Sequence, residues 1–264
     1  MHTIELHDLP DAKGHPVVHR FSFPGDWKEL TGEQLGRVAV MSAAAMPEAE
    51  LRFRLLRNLA GIPKKLFVRC NVEDLLGDGP DLLPQLDAFF PKEGKPVVFE
   101  KSLLPALEHD GTRWEGPRDS LGNFTVLQLS FCDHLLNEVQ KGTPNALVNL
   151  MGALYVPEGR LWDNEGIEER ANRLASLPLT TRLGAAMNYS ALRNGVAERY
   201  WRTFGKRKSE EGEDYGIDGL LEALAGEKFG TVDQVGGMPV HPALVHSERQ
   251  LQMAEEMEAE TART

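Results

Sequence analysis

NFTVLQLSFCDHLLNEVQKGTPNALVNLMGALYVP, residues 123–157, is the stretch whose reading decides the fold. It predicts two amphipathic helices joined by a tight turn. Thr125 is placed to cap the first helix. Gln128, three residues on, would close a capping box, with Phe124 and Leu129 as the hydrophobic staple. Lys141-Gly142 is the turn. Thr143 then reads as the second cap and Pro144 as the first helical residue, where its missing N–H costs nothing. Cys132-Asp133-His134 lies inside the first helix. Adjacent helical residues point about 100° apart, so the three side chains do not converge on one atom. Cys132 belongs in the core, with Asp133 and His134 nearer the surface.

Working outward, the same grammar of helix starts returns upstream. Thr31 and Gln34 form a box with Leu30 and Leu35 as staple, and the helix runs to about Ala44. Pro47 opens another helix to about Leu59, and Gly61 and Pro63 end it. Its Arg52, Arg54 and Arg57 read as a solvated face, because no glycine loop or second basic cluster supports an anion site. Before these, 3–6 and 17–23 alternate as two strands around a Pro10–Gly14 turn. Residues 66–70 fit strand or helix, and 81–90 read as a helix. Pro96-Val97-Val98-Phe99-Glu100 reads as a short strand, and Thr112-Arg113-Trp114, after the Asp110-Gly111 turn, as a weaker one.

Downstream, a loop carries Trp162, and a helix is expected over 167–175. Pro178 starts the next, which Asn194-Gly195 should weaken or bend. The helix resumes through Tyr200, Trp201 and Phe204. Residues 206–214 contain no apolar side chain and read as a charged linker. A short amphipathic helix around Leu220 and Leu224 follows. A last helix over 243–259 is rich in Glu and Gln, with an end expected to fray or dock on another subunit. The expected fold is α+β and mainly helical, with small antiparallel hairpins near the N-terminus and around 96–115. The expected division is a mainly helical domain over 1–205, the linker 206–214 and a C-terminal helical segment over 215–264.

With 264 residues, 26% charged and 41% hydrophobic, the chain has an ordinary globular composition. Its net charge of −11 argues against nucleic acid and against anionic membranes as partners. No apolar run approaches the ~20 residues of a membrane span, and the polar start from His2 reads as no signal peptide. The two cysteines, Cys70 and Cys132, read as buried reduced thiols. There is no G-x-x-x-x-G-K-[ST] loop, no G-x-S-x-G, no H-E-x-x-H and no C-x-x-C. His241 and His246, five apart, read as surface or hinge residues. No catalytic, cofactor or metal residue is therefore assigned. Trp162, Tyr200, Trp201 and Phe204 are the aromatic candidates for partner binding, set against plain core packing.

Three segments carry a resemblance. They are Phe23-Pro24-Gly25-Asp26-Trp27-Lys28-Glu29-Leu30-Thr31 with Gln34-Leu35, then 147–157 ending in Ala153-Leu154-Tyr155-Val156-Pro157, then Tyr215-Gly216 with Leu224-Ala225-Gly226-Glu227-Lys228-Phe229-Gly230. In this order they resemble uncharacterised proteins encoded by phages and prophages of Bacteroidetes-type bacteria. The chain departs from that pattern in the 156–163 loop and in its long acidic C-terminal helix. The resemblance implies phage morphogenesis: a non-enzymatic structural or assembly protein, a tail-assembly chaperone or minor tail component. Its partners would be other phage proteins or a second copy, in the host cytoplasm or on the virion. Two alternatives stand beside it, a small enzyme with a site of dispersed Asp, Glu and His, and an acidic regulatory or DNA-mimic protein. Shifted titratable groups converging in a pocket would mark the enzyme; an exposed apolar patch would mark the assembly role; a regular carboxylate stripe would mark the mimic.

Overall fold

A computed structural model of the chain describes residues 1–8, 13–15, 17–44, 46–69, 84–90, 95–205, 221, 224–225 and 230–261. The strands are β1 (His2–Asp8), β2 (Val17–Phe23), β3 (Ala106–His109), β4 (Thr112–Glu115) and β5 (Val156–Pro157). The described α-helices are α1 (Gly32–Ala43), α2 (Glu48–Leu59), α3 (Lys64–Arg69), α4 (Val126–Gln140), α5 (Ala146–Leu154), α6 (Ile167–Leu174), α7 (Leu179–Arg199), α8 (Trp201–Phe204), α9 (Val232–Gly236) and α10 (Val240–Thr261). The fold is α+β and mainly helical, with two small antiparallel sheets. The chain divides into two compact units, one of Met1–Val97 with Pro178–Met187, the other of Val98–Leu177 with Asn188–Thr264. Cys70 and the expected linker at 206–214 lie outside the described residues, as does most of the helix expected around Leu220.

In the first unit β1 and β2 pair antiparallel from His2↔Phe23 to Asp8↔Val17. Ile4, Leu6 and Phe23 are buried while Thr3 and Glu5 face out, the alternation that a sheet with one covered face requires. The Thr31–Gln34 box forms in both directions, and Leu30 and Leu35 are buried on either side of it. Helix α2 ends as its glycine dictates. Gly61 takes φ +66° and donates to Asn58, and Ile62 donates to Arg57, a Schellman closure. Residues 64–69, which fit either strand or helix, are the helix α3. Residues 84–89 are a 3₁₀ segment.

The second unit is built on α4 and α5. Thr125 caps α4 by accepting from the Gln128 N–H at 3.2 Å. The reciprocal half of the box is replaced, because the buried Gln128 amide donates to Ala153 O at 3.1 Å and ties α4 to the end of α5. The turn is a second Schellman closure, with Gly142 at φ +75° and Thr143 N–H on Glu138 O. That closure moves the start of the next helix. Thr143 turns its hydroxyl to Glu138 at 2.7 Å, and the cap of α5 is Asn145, at φ +62° with no side-chain bond. Asparagine tolerates this left-handed conformation better than most residues. Helix α5 then packs on α4 and on α6. At Gly152 the backbone of α6 approaches so closely that a Cβ would lie 2.7 Å from Ala171 N.

The second sheet differs in detail from the expected hairpin. Thr112–Glu115 is a strand, but its partner is Ala106–His109 across the turn at Asp110 and Gly111, both at positive φ. Val156–Pro157 adds a third strand on the other side of β4. Residues 96–100 are not a strand, because their backbone groups are engaged elsewhere: Phe99 donates to Ala191 O in α7 at 3.0 Å, and Glu100 O accepts from Ser120 N at 2.9 Å. The same approach explains Asn194-Gly195. Helix α7 runs through without interruption, and the glycine gives room to the Phe99 carbonyl, which would lie 2.7 Å from a Cβ there. A second complete Thr-x-x-Gln box, Thr231 to Gln234, caps α9. Helix α10 begins on a bridge between Thr125 and Pro239 and docks through Val240, Ala243 and Leu244. It runs from Val240 to Thr261, longer at both ends than expected.

Candidate partner-binding groove

The first unit carries an open apolar groove of about 380 Å³. Val38 of α1 and Leu55 of α2 are buried beneath it, and the half-buried Leu51 extends that surface toward solvent. The aromatic wall comes from two short 3₁₀ pieces. Asp26 caps the first by accepting from the N–H groups of Lys28 and Glu29, which fixes Trp27. The indole Nε1–H of Trp27 donates to Ala88 O at 2.7 Å, and its ring meets Phe89 edge-on at 5.3 Å. Phe90 continues the wall beneath Arg52, whose guanidinium lies 4.3 Å from the ring centroid.

The charge of this site sits on its rim. Arg52 binds Asp87 at 2.6 Å and Glu48 at 2.8 Å. Burial works against the guanidinium charge, and the bonds to Asp87 and Glu48 outweigh it, so its pKa is raised. Among the described residues, the Glu48 and Asp87 carboxylates share the Arg52 guanidinium, an excess of negative charge beside the aromatic wall. Arg54 pairs with Glu50 on the outer face of α2. Arg54 thus serves a local pair on an exposed face, whereas Arg52, with its side chain 18% exposed, is packed on Phe90 and tied to Asp87 and is not the solvated residue expected.

Comparison with protein-family models, with curated proteins and with solved structures finds no match to this chain.

A second cavity, of about 720 Å³, lies in the second unit beside the Trp162 loop. Charged residues line part of it, and its most buried cation is committed. Arg170 donates from Nε to Gly152 O at 2.8 Å and from Nη1 to Asp163 Oδ2 at 3.0 Å. Trp162 is half-buried, with its Nε1–H on Ala153 O at 2.9 Å and its ring tilted on Phe131. The other aromatic candidates do not form one patch. Tyr200 is buried, its hydroxyl 2.9 Å from His241 Nδ1, and His241 Nε2 is 2.8 Å from Ser120 O. His241, half-buried at the start of α10, therefore bridges three segments, in keeping with the hinge half of the expectation that it is a surface or hinge residue. Phe204 is half-buried under Arg193, and Trp201 is exposed beside Arg202.

The strongly shifted groups lie in the core of the second unit, and neither cavity is lined by them. Burial, with the Asp133 charge beside it, pushes the Cys132 thiol up. Burial alone raises Tyr155, whose hydroxyl donates to Leu104 O at 3.0 Å. Tyr189 is raised by burial first and by Asp133 second. Its hydroxyl donates to Asp133 Oδ1 at 2.6 Å, and Arg193 holds the other carboxylate oxygen at 3.1 Å. His134 is exposed, so the Cys132-Asp133-His134 run separates as helical geometry requires. Among the described residues, no group of three or more His, Cys, Asp or Glu side chains is placed to hold a metal ion. No described helix is long and apolar enough to cross a membrane.

Proposed function

We propose that the protein acts by protein contact, as a non-enzymatic assembly protein that holds an apolar segment of a partner in the Trp27–Phe89–Phe90 groove. The observation that supports this is the groove itself, an open aromatic and aliphatic surface with its charge confined to a rim. A surface of this kind recognises large apolar side chains. The net negative rim of Glu48 and Asp87 matches a lysine or arginine next to those side chains. The expected occupant is thus a short segment with one or two large apolar residues and a neighbouring cation. The resemblance of three segments to phage and prophage proteins supplies the setting: virion morphogenesis, as a tail-assembly chaperone or minor tail component, with another assembly protein as client.

The test is titration of each morphogenesis protein encoded beside this chain against the purified protein by calorimetry. One of them should bind, and Phe90→Glu and Glu48→Lys should each weaken it tenfold or more. Equal affinity for wild type and both variants would overturn the groove as the site. A gene placed within a metabolic operon would overturn the phage setting.

A further inference from the structure

The distal half of α10 is a second, separate surface. The proximal half is fixed by the buried Val240, Ala243 and Leu244. Thr203 holds it further, its N–H on Glu248 at 2.7 Å and its hydroxyl 3.2 Å from Ser247. Arg202 reaches Glu248 at 3.7 Å and Glu255 at 3.0 Å, and so clamps the helix a further two turns out. Past that clamp the helix continues to Thr261 with its side chains turned to solvent. Met253 and Met257, one turn apart, are 60% and 61% exposed. Two thioether side chains standing side by side on a rigid helix are an apolar strip of the adaptable kind that re-packs around partners.

The charges around the strip decide what can cover it. Glu256 follows Met253 by three residues and Glu260 follows Met257 by three, so each carboxylate neighbours a methionine on the helix surface. Glu258 adds to them, Glu255 being held by Arg202, and the last turn holds no basic residue. Negative charge at a helix C-terminus opposes the macrodipole, so this end is electrostatically unfavourable as it stands. A second copy would set the same carboxylates against each other, and an anionic lipid surface would be repelled likewise. A cationic partner relieves both faults at once.

We infer that residues 250–261 of α10 are a docking strip for a basic amphipathic helix of another protein, its apolar face on Met253 and Met257 and its lysines or arginines on Glu256 and Glu260. The inference stands independently of the groove. The probe is a fluorescein-labelled Leu/Lys amphipathic peptide of roughly 16 residues, long enough to form a helix when bound. It is titrated by anisotropy against the full chain. Saturable binding is expected, weakened tenfold or more by Met253→Gln with Met257→Gln, and tenfold or more by Glu256→Gln with Glu260→Gln. Circular dichroism should show unchanged helix content in both double variants, and Phe90→Glu should leave the affinity unchanged. Absent binding would overturn the inference. So would equal affinity of both double variants and wild type, which would reduce binding to bulk attraction by net charge. Loss of binding in Phe90→Glu would place the peptide in the groove instead. A dimer by light scattering that the methionine variant dissociates would assign the strip to a second copy.

Discussion

Gly152→Ala is the substitution whose sign separates local propensity from packing. In an isolated helix the change stabilises by about 1 kcal/mol, because alanine is the better helix former. Here the new methyl would overlap the carbonyl oxygen of Ile167 and lie 2.7 Å from Ala171 N. Ordinary contact begins at 3.4 Å, so the Ala171 contact alone asks α6 to retreat by about 0.7 Å (3.4 less 2.7), and the nearer Ile167 carbonyl asks for more. The obstacles are backbone atoms of a packed helix, which have no rotamer to change. Overpacking of this kind costs about 1–3 kcal/mol. The retreat also stretches the bond from the Arg170 guanidinium to Gly152 O, now 2.8 Å. Weakening a buried bond to a charged donor costs up to about 1.5–3 kcal/mol. Set against the propensity gain, the net expectation is a loss of about 2–4 kcal/mol. At about 2–4 °C per kcal/mol, the midpoint should fall by roughly 5–15 °C. Circular dichroism at 222 nm reads this directly. Gly142→Ala is the control: it meets nothing within 4 Å but sits at φ +75°, and should cost only about 1–2 kcal/mol of backbone strain. A neutral or stabilised Gly152→Ala protein would refute the close α5–α6 approach.

Stability should fall on the alkaline side. Cys132, Tyr155 and Tyr189 all keep their protons in the folded core, while in the unfolded chain they ionise near 9.0 for the thiol and 10.0 for the phenols. The folded state therefore binds more protons above those values, and each group removes about 1.4 kcal/mol per pH unit as pH rises. Urea midpoints that stay flat from pH 8 to pH 11 would contradict the burial of all three. Tyr189→Phe should cost about 1 kcal/mol at pH 7, since Asp133 keeps Arg193 but loses its shortest bond, and should shallow the alkaline decline. Chemical denaturation of the variant at pH 7 and pH 10.5 measures both effects. Thr31→Ala removes one half of the N-terminal capping box and should cost about 0.5–2 kcal/mol, with Thr31→Ser restoring most of it.

What the sequence discloses about this fold is what short-range hydrogen bonding decides. Thr31 with Gln34, Gly61 and Gly142 are legible because each partner lies within a few residues and the donor geometry is fixed by residue type. Helix α9 is not among the expected elements, although Thr231 and Gln234 form the same box. Thr143-Pro144 misleads for a physical reason. Two local rules compete for one residue, and the closure of α4 takes Thr143 before the start of α5 can use it. Residues 96–100 mislead differently. Their apolar run fits a strand, but a strand needs a neighbour, and Phe99 finds a helix carbonyl instead.

The groove was not legible at all, and its composition explains why. Trp27 and Phe89 come from two 3₁₀ pieces and Leu51 from a helix, and each satisfies an ordinary local pattern. Leu51 has the spacing of a core residue on α2, and only the packing of α2 leaves it half-exposed while Leu55, one turn on, is buried. The aromatic density at Tyr200, Trp201 and Phe204 is the louder signal. Yet burial separates its members, because Tyr200 ends α7 with a backbone break at φ −114° and ψ 50° that turns Trp201 outward. Residue type sets how strongly a side chain can bind; the exposure that lets it do so is set by contacts far away in sequence. A partner surface is therefore found where several elements each leave one apolar side chain uncovered at the same place, as at Trp27, Leu51 and Phe90, and not where one segment is richest in aromatics.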